Sequence, residues 1–156
     1  MMTVSFLADK KQFIPTIAQW YFNEWRHLTP NTSIEDIVQK VTLMAESRAA
    51  LPISFVLHDN DDLLAVAELK FHEHPDFPDY KAWLGGVFVP ADKRGHGYSN
   101  IILPHTFHHA KSVGISSLYL QCEQHNIDLY LKHDFEVVHK INDNGVGKAV
   151  MALRLG

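Results

Sequence analysis

Apolar positions recur along this chain with two different periods, and the switches between them divide it into elements. Val4 to Ala8 alternates as a short strand. Ile14, Ile17, Tyr21 and Trp25 then repeat at helical spacing, which predicts a helix from about Phe13 to Leu28 with Pro15 in its first turn. "TPNTS" breaks it. Ser33, followed by Glu35 and Asp36, is a helix-capping pattern, and a second helix is expected to about Ser47. After Pro52 the period changes to that of strands. "ISFVLHD", the tight turn "NDD" and "LLAVAELKFHE" read as a hairpin. "HPDFPD", with its two prolines, fits neither period. "KAWLGGVFV" is the next strand, and its Gly85-Gly86 pair predicts a bulge or a close backbone approach. A helix from about Tyr98 to Val113 stops at Gly114. "SSLYLQC" is a strand, "NIDLYLKHD" a short helix opened by Asn126, and "EVVHKIND" and "GKAVMALRL" a closing hairpin through "NDNGV".

The resulting order is β-α-α-β-β-β-α-β-α-β-β. Most strands are joined as hairpins, whereas the unit around Tyr98–Val113 requires a right-handed parallel crossover. The expected fold is α/β in the broad sense (α+β): a mixed, mostly antiparallel sheet of about seven strands, with about four helices on its faces. Residues 1–156 form one domain, with no internal repeat or linker.

Charge and composition narrow the function. The net charge of −4 provides no global field for nucleic acid, and no apolar run approaches the roughly 20 residues of a membrane span. "MMTVSFLADKK" does not read as a signal peptide. Cys122 has no cysteine to pair with and sits in a strand as a small core residue. A cytoplasmic protein without nucleic-acid or membrane partners is expected. His72 and His74 share one strand face, and His105, His108 and His109 share a helix face on which His108 and His109 are expected to meet solvent, but no HExxH or Cys-His set completes a metal site, so none is predicted.

The segment "VFVPADKRGHGYSN", Val87 to Asn100, is where chemistry concentrates. A strand enters a turn with two glycines and then a helix, whose first N–H groups lack intrahelical partners. Small residues there let an anion approach those groups, and Arg94 adds a charge. The segment matches neither the phosphate-binding GxxxxGK[ST] loop nor the dinucleotide GxGxxG. From spacing alone, an anion cradle and a plain turn needing positive φ both remain open.

"VPADKRGHGYS" resembles the acyl-CoA-binding signature of the GNAT family of N-acetyltransferases, with Arg94, Gly97 and Ser99 in the motif places. "HNIDLYLKHDF" is similar to a second family stretch, with Tyr130 and Phe135 in register and Asn126 near its opening. The element order is also the family's. The resemblance implies acetyl-CoA as cosubstrate, with its phosphates on Arg94, Gly95, His96, Gly97, Tyr98 and Ser99. It implies a pantetheine arm on the backbone of Val87, Phe88 and Val89, where that strand splays from Ser117–Cys122, and Asn126 on the cofactor side. It further implies transfer to a primary amine of a small molecule or peptide by direct attack in a ternary complex, with Tyr130 protonating the leaving thiolate. The base stays open. Glu73 ends its strand at a place the family favours for an acidic residue. Glu68 lies mid-strand on the face of Leu64 and Val66, where burial would raise its pKa, and Glu73 is expected on the opposite face. Glu24, on the first helix, is a weaker substrate-side candidate. Two other readings stand beside this one. Asp134, in the place of a family glycine, and Pro104, inside a helix with an expected kink, suit a non-catalytic acyl-CoA sensor. The aromatic run Trp20, Tyr21, Phe22 and Trp25 suits an acceptor mouth, a homodimer contact or a cofactor-free interaction domain.

Overall fold

The computed structural model describes all 156 residues and contains seven strands and four α-helices. Strand β1 (Met2–Phe6) leads into helices α1 (Ile14–Trp25) and α2 (Ile34–Met44). Strands β2 (Ile53–Asp59), β3 (Asp62–Phe71) and β4 (Ala82–Phe88) precede α3 (Ser99–Ser112), β5 (Ser117–Glu123) and α4 (Ile127–Leu131), and the chain closes with β6 (Glu136–Asp143) and β7 (Val146–Arg154). One sheet holds them in the order β1-β2-β3-β4-β5-β7-β6, antiparallel throughout except for the β4–β5 pair joined through α3. No helix is long and apolar enough to cross a membrane.

Element ends move by a few residues from those expected. The first strand stops at Phe6, because Leu7–Asp9 turn into a short 3-10 helix, and α1 and α2 stop at Trp25 and Met44. Ser33 caps α2: its Oγ accepts the Asp36 N–H at 3.2 Å, and the Asp36 carboxylate accepts the Ser33 N–H at 3.1 Å. Helix α3 continues through Pro104, which lies on its exposed side where the lost N–H costs least.

Two apolar layers cover the sheet. Ile17, Ala18, Tyr21 and Val41 of α1 and α2 pack on Val56, Leu63 and Val66. Ile102, Leu103 and Tyr130 of α3 and α4 pack on the other face with Phe55, Leu84, Leu120 and Met151. The β2–β3 register shifts between Leu57 and His58, which sends Leu64 to the α3 layer while Val66 stays under α1. Leu64 and Glu68 therefore lie on opposite faces, not on one face as strict alternation predicts.

A second irregularity shapes the site. Val66 opposes Phe88 and Glu68 opposes Gly85, so β4 spends one residue more than β3 over the same stretch. The excess is taken up at Gly86, at φ 56°. β4 meets β5 in register only at Trp83 and Tyr119, and past that point the two parallel strands diverge. The β3–β4 loop is fastened across this region. Tyr80 stacks on Tyr119 with centroids 3.9 Å apart, its hydroxyl is hydrogen-bonded with His139 Nε2 at 2.9 Å, and Phe77 packs on His139 at 4.6 Å.

Candidate functional site

A cleft of about 280 Å³ opens where β4 leaves β5. Val87, Phe88 and Val89 form one wall, and Arg94, Gly95, Gly97, Tyr98 and Ser99 form its end. Asn126 and Tyr130 face them from the α4 region. The chain thus brings together nearly all the residues expected around an acyl-CoA. His96 is the exception: it is not part of the lining, and its ring stacks against Tyr98 at 5.5 Å. Glu24 and Trp25 of α1 complete the mouth, with Lys93, His125 and Leu129, three residues that sequence reasoning missed. Leu129 follows Asn126 by three positions, so the helical repeat of that segment could have placed it.

The turn before α3 leaves backbone N–H groups open. Gly95 and Gly97 have φ of 84° and 77°, and the space where a Cβ of Gly95 would point is open. The N–H groups of Gly95, His96, Gly97, Tyr98 and Ser99 take no part in the backbone hydrogen bonds of the turn, which resume with Asn100 N–H to the Gly97 carbonyl at 3.1 Å. Five successive N–H groups thus lack backbone acceptors at the start of a 14-residue helix, the kind of donor run that suits an anion. Arg94 is set beside it: Nε donates to the Val89 carbonyl at 2.8 Å, and the guanidinium lies over Phe88 at 5.6 Å.

Tyr130 is buried, and its hydroxyl titrates above the ordinary phenol range, raised by burial and then by the neighbouring Cys122 thiol and Glu73 carboxylate. The hydroxyl is therefore protonated at neutral pH. The Glu73 contribution ties the β3 end electrostatically to the Tyr130 side of the cleft. Asp134 adopts φ 71°, the conformation of the glycine it stands for, and Phe135 N–H still reaches the Tyr130 carbonyl at 3.2 Å. Cys122 is a buried core thiol, pushed up to about 11 by burial, and is inert as a nucleophile.

The two candidate bases occupy one face rather than two. β3 ends at Phe71, and His72, at φ 49°, turns the chain so that strand alternation no longer applies to Glu73. His72 and His74 accordingly lie in the loop, not on a shared strand face. Glu73 instead returns to Lys70, with Oε1 2.6 Å from Nζ, and Glu68 Oε1 is 3.8 Å from the same ammonium. Glu68 is buried, and its pKa is raised, with burial outweighing the opposing Lys70 charge. The Tyr21 hydroxyl donates to the Gly86 carbonyl at 2.7 Å. A Cβ on Gly86 would collide with that hydroxyl and would lie 2.6 Å from Glu68 Cδ. The glycine pair read as a bulge is thus also the gap through which Tyr21 and Glu68 reach the backbone at the splay.

A larger cavity, about 400 Å³, lies between β1 and α3 and shares no residue with the cleft. His105, His108 and His109 line it. His109, expected on a solvated face, packs edge-on against Phe55 at 5.2 Å and Phe6 at 5.5 Å with its Nε2 enclosed. Burial and then the adjacent imidazoles lower the pKa of His105 and His109.

Residues 14–135 match the family model described as the acetyltransferase (GNAT) family. The chain belongs to that family. No curated protein matches the sequence. Among solved structures, the N-acetyltransferase from Staphylococcus aureus Mu50 superposes with a TM-score of 0.78 at 18% identity, covering 100% of this chain and 99% of the other. The yncA protein from Salmonella typhimurium, solved with its cofactor acetyl-CoA, gives 0.75 at 18% identity over 99% and 94%. A GNAT-family acetyltransferase from Streptococcus pneumoniae gives 0.72 at 13% identity over 100% of both chains. These likenesses show the GNAT fold, and the family match gives acetyltransferase as the general class.

The bulge generates a stability prediction. Gly86→Ala forces a side chain into positive φ and into the Tyr21–Glu68 contact, and strain and overpacking each carry about 1–3 kcal/mol. Urea unfolding should show a loss within or above that range. A loss under about 0.5 kcal/mol, the scale of a bland surface change, would contradict the close approach.

Proposed function

We propose that the protein transfers the acetyl group of acetyl-CoA to a primary amine by direct attack in a ternary complex. One observation carries this reading: the strand edge Val87–Val89, the free N–H run Gly95–Ser99 and Tyr130 border a single cleft. The bound acetyl-CoA of the Salmonella typhimurium relative supports the choice of cosubstrate. Asp134 keeps the turn of a glycine and α3 runs through Pro104, so neither departure from the family pattern favours a non-catalytic sensor.

Acetyl-CoA supplies the acetyl thioester; the chain's residues supply the remainder. The Gly95–Ser99 N–H groups and Arg94 bind the phosphates. The open edge of β4 takes the amides of the pantetheine arm as an added strand would. An alkylammonium has a pKa near 10, so the acceptor must shed a proton before its nitrogen bonds to the acetyl carbon. Glu68 receives that proton, directly or through water, because burial raises its pKa toward that of a useful base, while Glu73 is in close ion-pair contact with Lys70. Tyr130 gives its proton to the sulfur as the carbon–sulfur bond breaks. Trp25 and Glu24, at the mouth, face the incoming acceptor.

Two outcomes check the assignments. Arg94→Ala and Gly97→Val should each weaken acetyl-CoA binding in calorimetry, by about 1.5–3 kcal/mol for the lost charge-assisted contact. A Gly97→Val protein that binds like wild type would place the cradle elsewhere. With a panel of primary amines, thiol release from acetyl-CoA should depend on the acceptor, and Tyr130→Phe should slow it by about 10²–10⁴-fold at nearly constant KM for acetyl-CoA. Unchanged turnover in Tyr130→Phe would return that residue to the core, and acetyl-CoA binding without release for any amine would leave a binding protein.

A further inference from the structure

Two carboxylates converge on one ammonium directly above the bulge. Lys70 Nζ lies 2.6 Å from Glu73 and 3.8 Å from Glu68, and these two ion pairs are the polar contacts of its head group. The space they share exists because residue 85 has no side chain. A Cβ there would collide with Lys70 Cε, and would stand 2.9 Å from Lys70 Nζ and 3.2 Å from Glu73 Oε1. The floor of this space is therefore the backbone from which β4 begins to leave β5.

Three properties suggest a place for a ligand rather than a structural ion pair. First, Lys70 is a flexible four-carbon chain with 29% of its side-chain surface exposed, so the space opens to solvent. Second, Ser54 opposes Glu68 in the β2–β3 register, is 1% exposed, and has an Oγ without any hydrogen-bond partner. A buried hydroxyl left unpaired is costly, so the sheet holds an unsatisfied polar group opposite Glu68 on its β2 side. Third, the charges balance only while a cation is present. Burial disfavours the Lys70 charge, but Glu73 and then Glu68 overcome this and hold it ionised. If Lys70 left alone, two carboxylates would face each other; if another ammonium replaced it, nothing would change electrostatically.

We propose that Glu68 and Glu73 form the ammonium subsite of the acceptor, and that Lys70 fills this subsite in the free protein and is displaced by an acceptor bearing a primary amine on an unbranched methylene chain. This rests on the acetyl-transfer reading for what enters the cleft. The Lys70 side chain is itself the template for the ligand: methylenes over Gly85 and an ammonium between the carboxylates. An acceptor with a carboxylate beside its amine would bring a third negative charge to the same place and is disfavoured. Displacement leaves the acceptor nitrogen beside Glu68, the residue assigned its proton.

The test removes the internal ligand and supplies an external one. Lys70→Ala, without acetyl-CoA, should gain a saturable rise in Tm with n-butylammonium chloride that sodium butyrate does not produce. The rise should be smaller in wild type and absent from Lys70→Ala/Glu73→Gln. Lys70→Met, which keeps the apolar stem, serves if the alanine variant does not fold, and should gain the same response to a weaker extent. In the acetyl-transfer assay, Lys70→Ala should lower the KM for an alkylamine by about fivefold or more, the lower end of ordinary coupling between competing states. No cation-specific stabilisation in either variant would overturn the proposal, as would a higher KM for alkylamines or stabilisation by butyrate instead. The Tm readout needs no catalysis, so a protein that bound butylammonium but released no thiol would sink the acetyl-transfer reading and leave the subsite standing.

Discussion

Everything that gives this protein a cleft depends on one extra residue in β4. Two parallel strands in full register would hydrogen-bond along their whole length and leave no edge for a ligand. Gly86, at positive φ, absorbs the excess, and β4 and β5 keep a single registered pair at Trp83 and Tyr119 before diverging. Both glycines are needed, for different reasons. Gly86 admits the Tyr21 hydroxyl and the Glu68 carboxyl, and Gly85 admits Lys70 and Glu73. The stacked Tyr80–Tyr119 pair and its His139 contact brace the strands where the opening starts.

The opening has opposite electrostatic character at its two ends. N–H groups of the α3 turn without backbone acceptors, beside the Arg94 charge, lie at one end. Carboxylates mark the region of the bulge instead: Glu68 and Glu73, with Lys70 as internal counter-ion, lie outside the cleft lining, and Glu24 of α1 stands at its mouth. Under the proposed reaction, an anionic cofactor and a cationic acceptor approach from different directions and meet at the splay, with Tyr130 on the cofactor side and Glu68 on the acceptor side. Proximity and orientation of two such reactants can account for a large part of a rate enhancement before any acid or base acts.

The elements were legible in the residues because apolar periodicity, Ser33, Gly114 and the double proline of the β3–β4 loop act locally. The glycine pair read correctly as a bulge, and "KRGHGYS" as a turn with glycines at positive φ, since both depend on residues adjacent in sequence. What escaped was decided by register and by residues distant in sequence. The shift at Leu57–His58 separated Leu64 from Glu68, and a positive φ at His72 brought Glu73 onto the face of Lys70, neither of which has a residue signature of its own. Lys70 drew no notice because a lysine near a strand end reads as solvated. Only the converging carboxylates give it a role. His109 misled in the opposite direction: its helix position suggested solvent, but the β1 edge with Phe6 covers it.

The central claim is that one cleft, opened by the bulge, takes acetyl-CoA through the backbone of β4 and of the α3 turn. Amide hydrogen exchange with and without acetyl-CoA tests it most directly, because it reads those N–H groups themselves. The account predicts that saturating acetyl-CoA slows exchange at Val87–Val89 and at Gly95–Ser99, with little change around His105–His109. Binding that left both segments unprotected, or that protected the His105–His109 side instead, would contradict it.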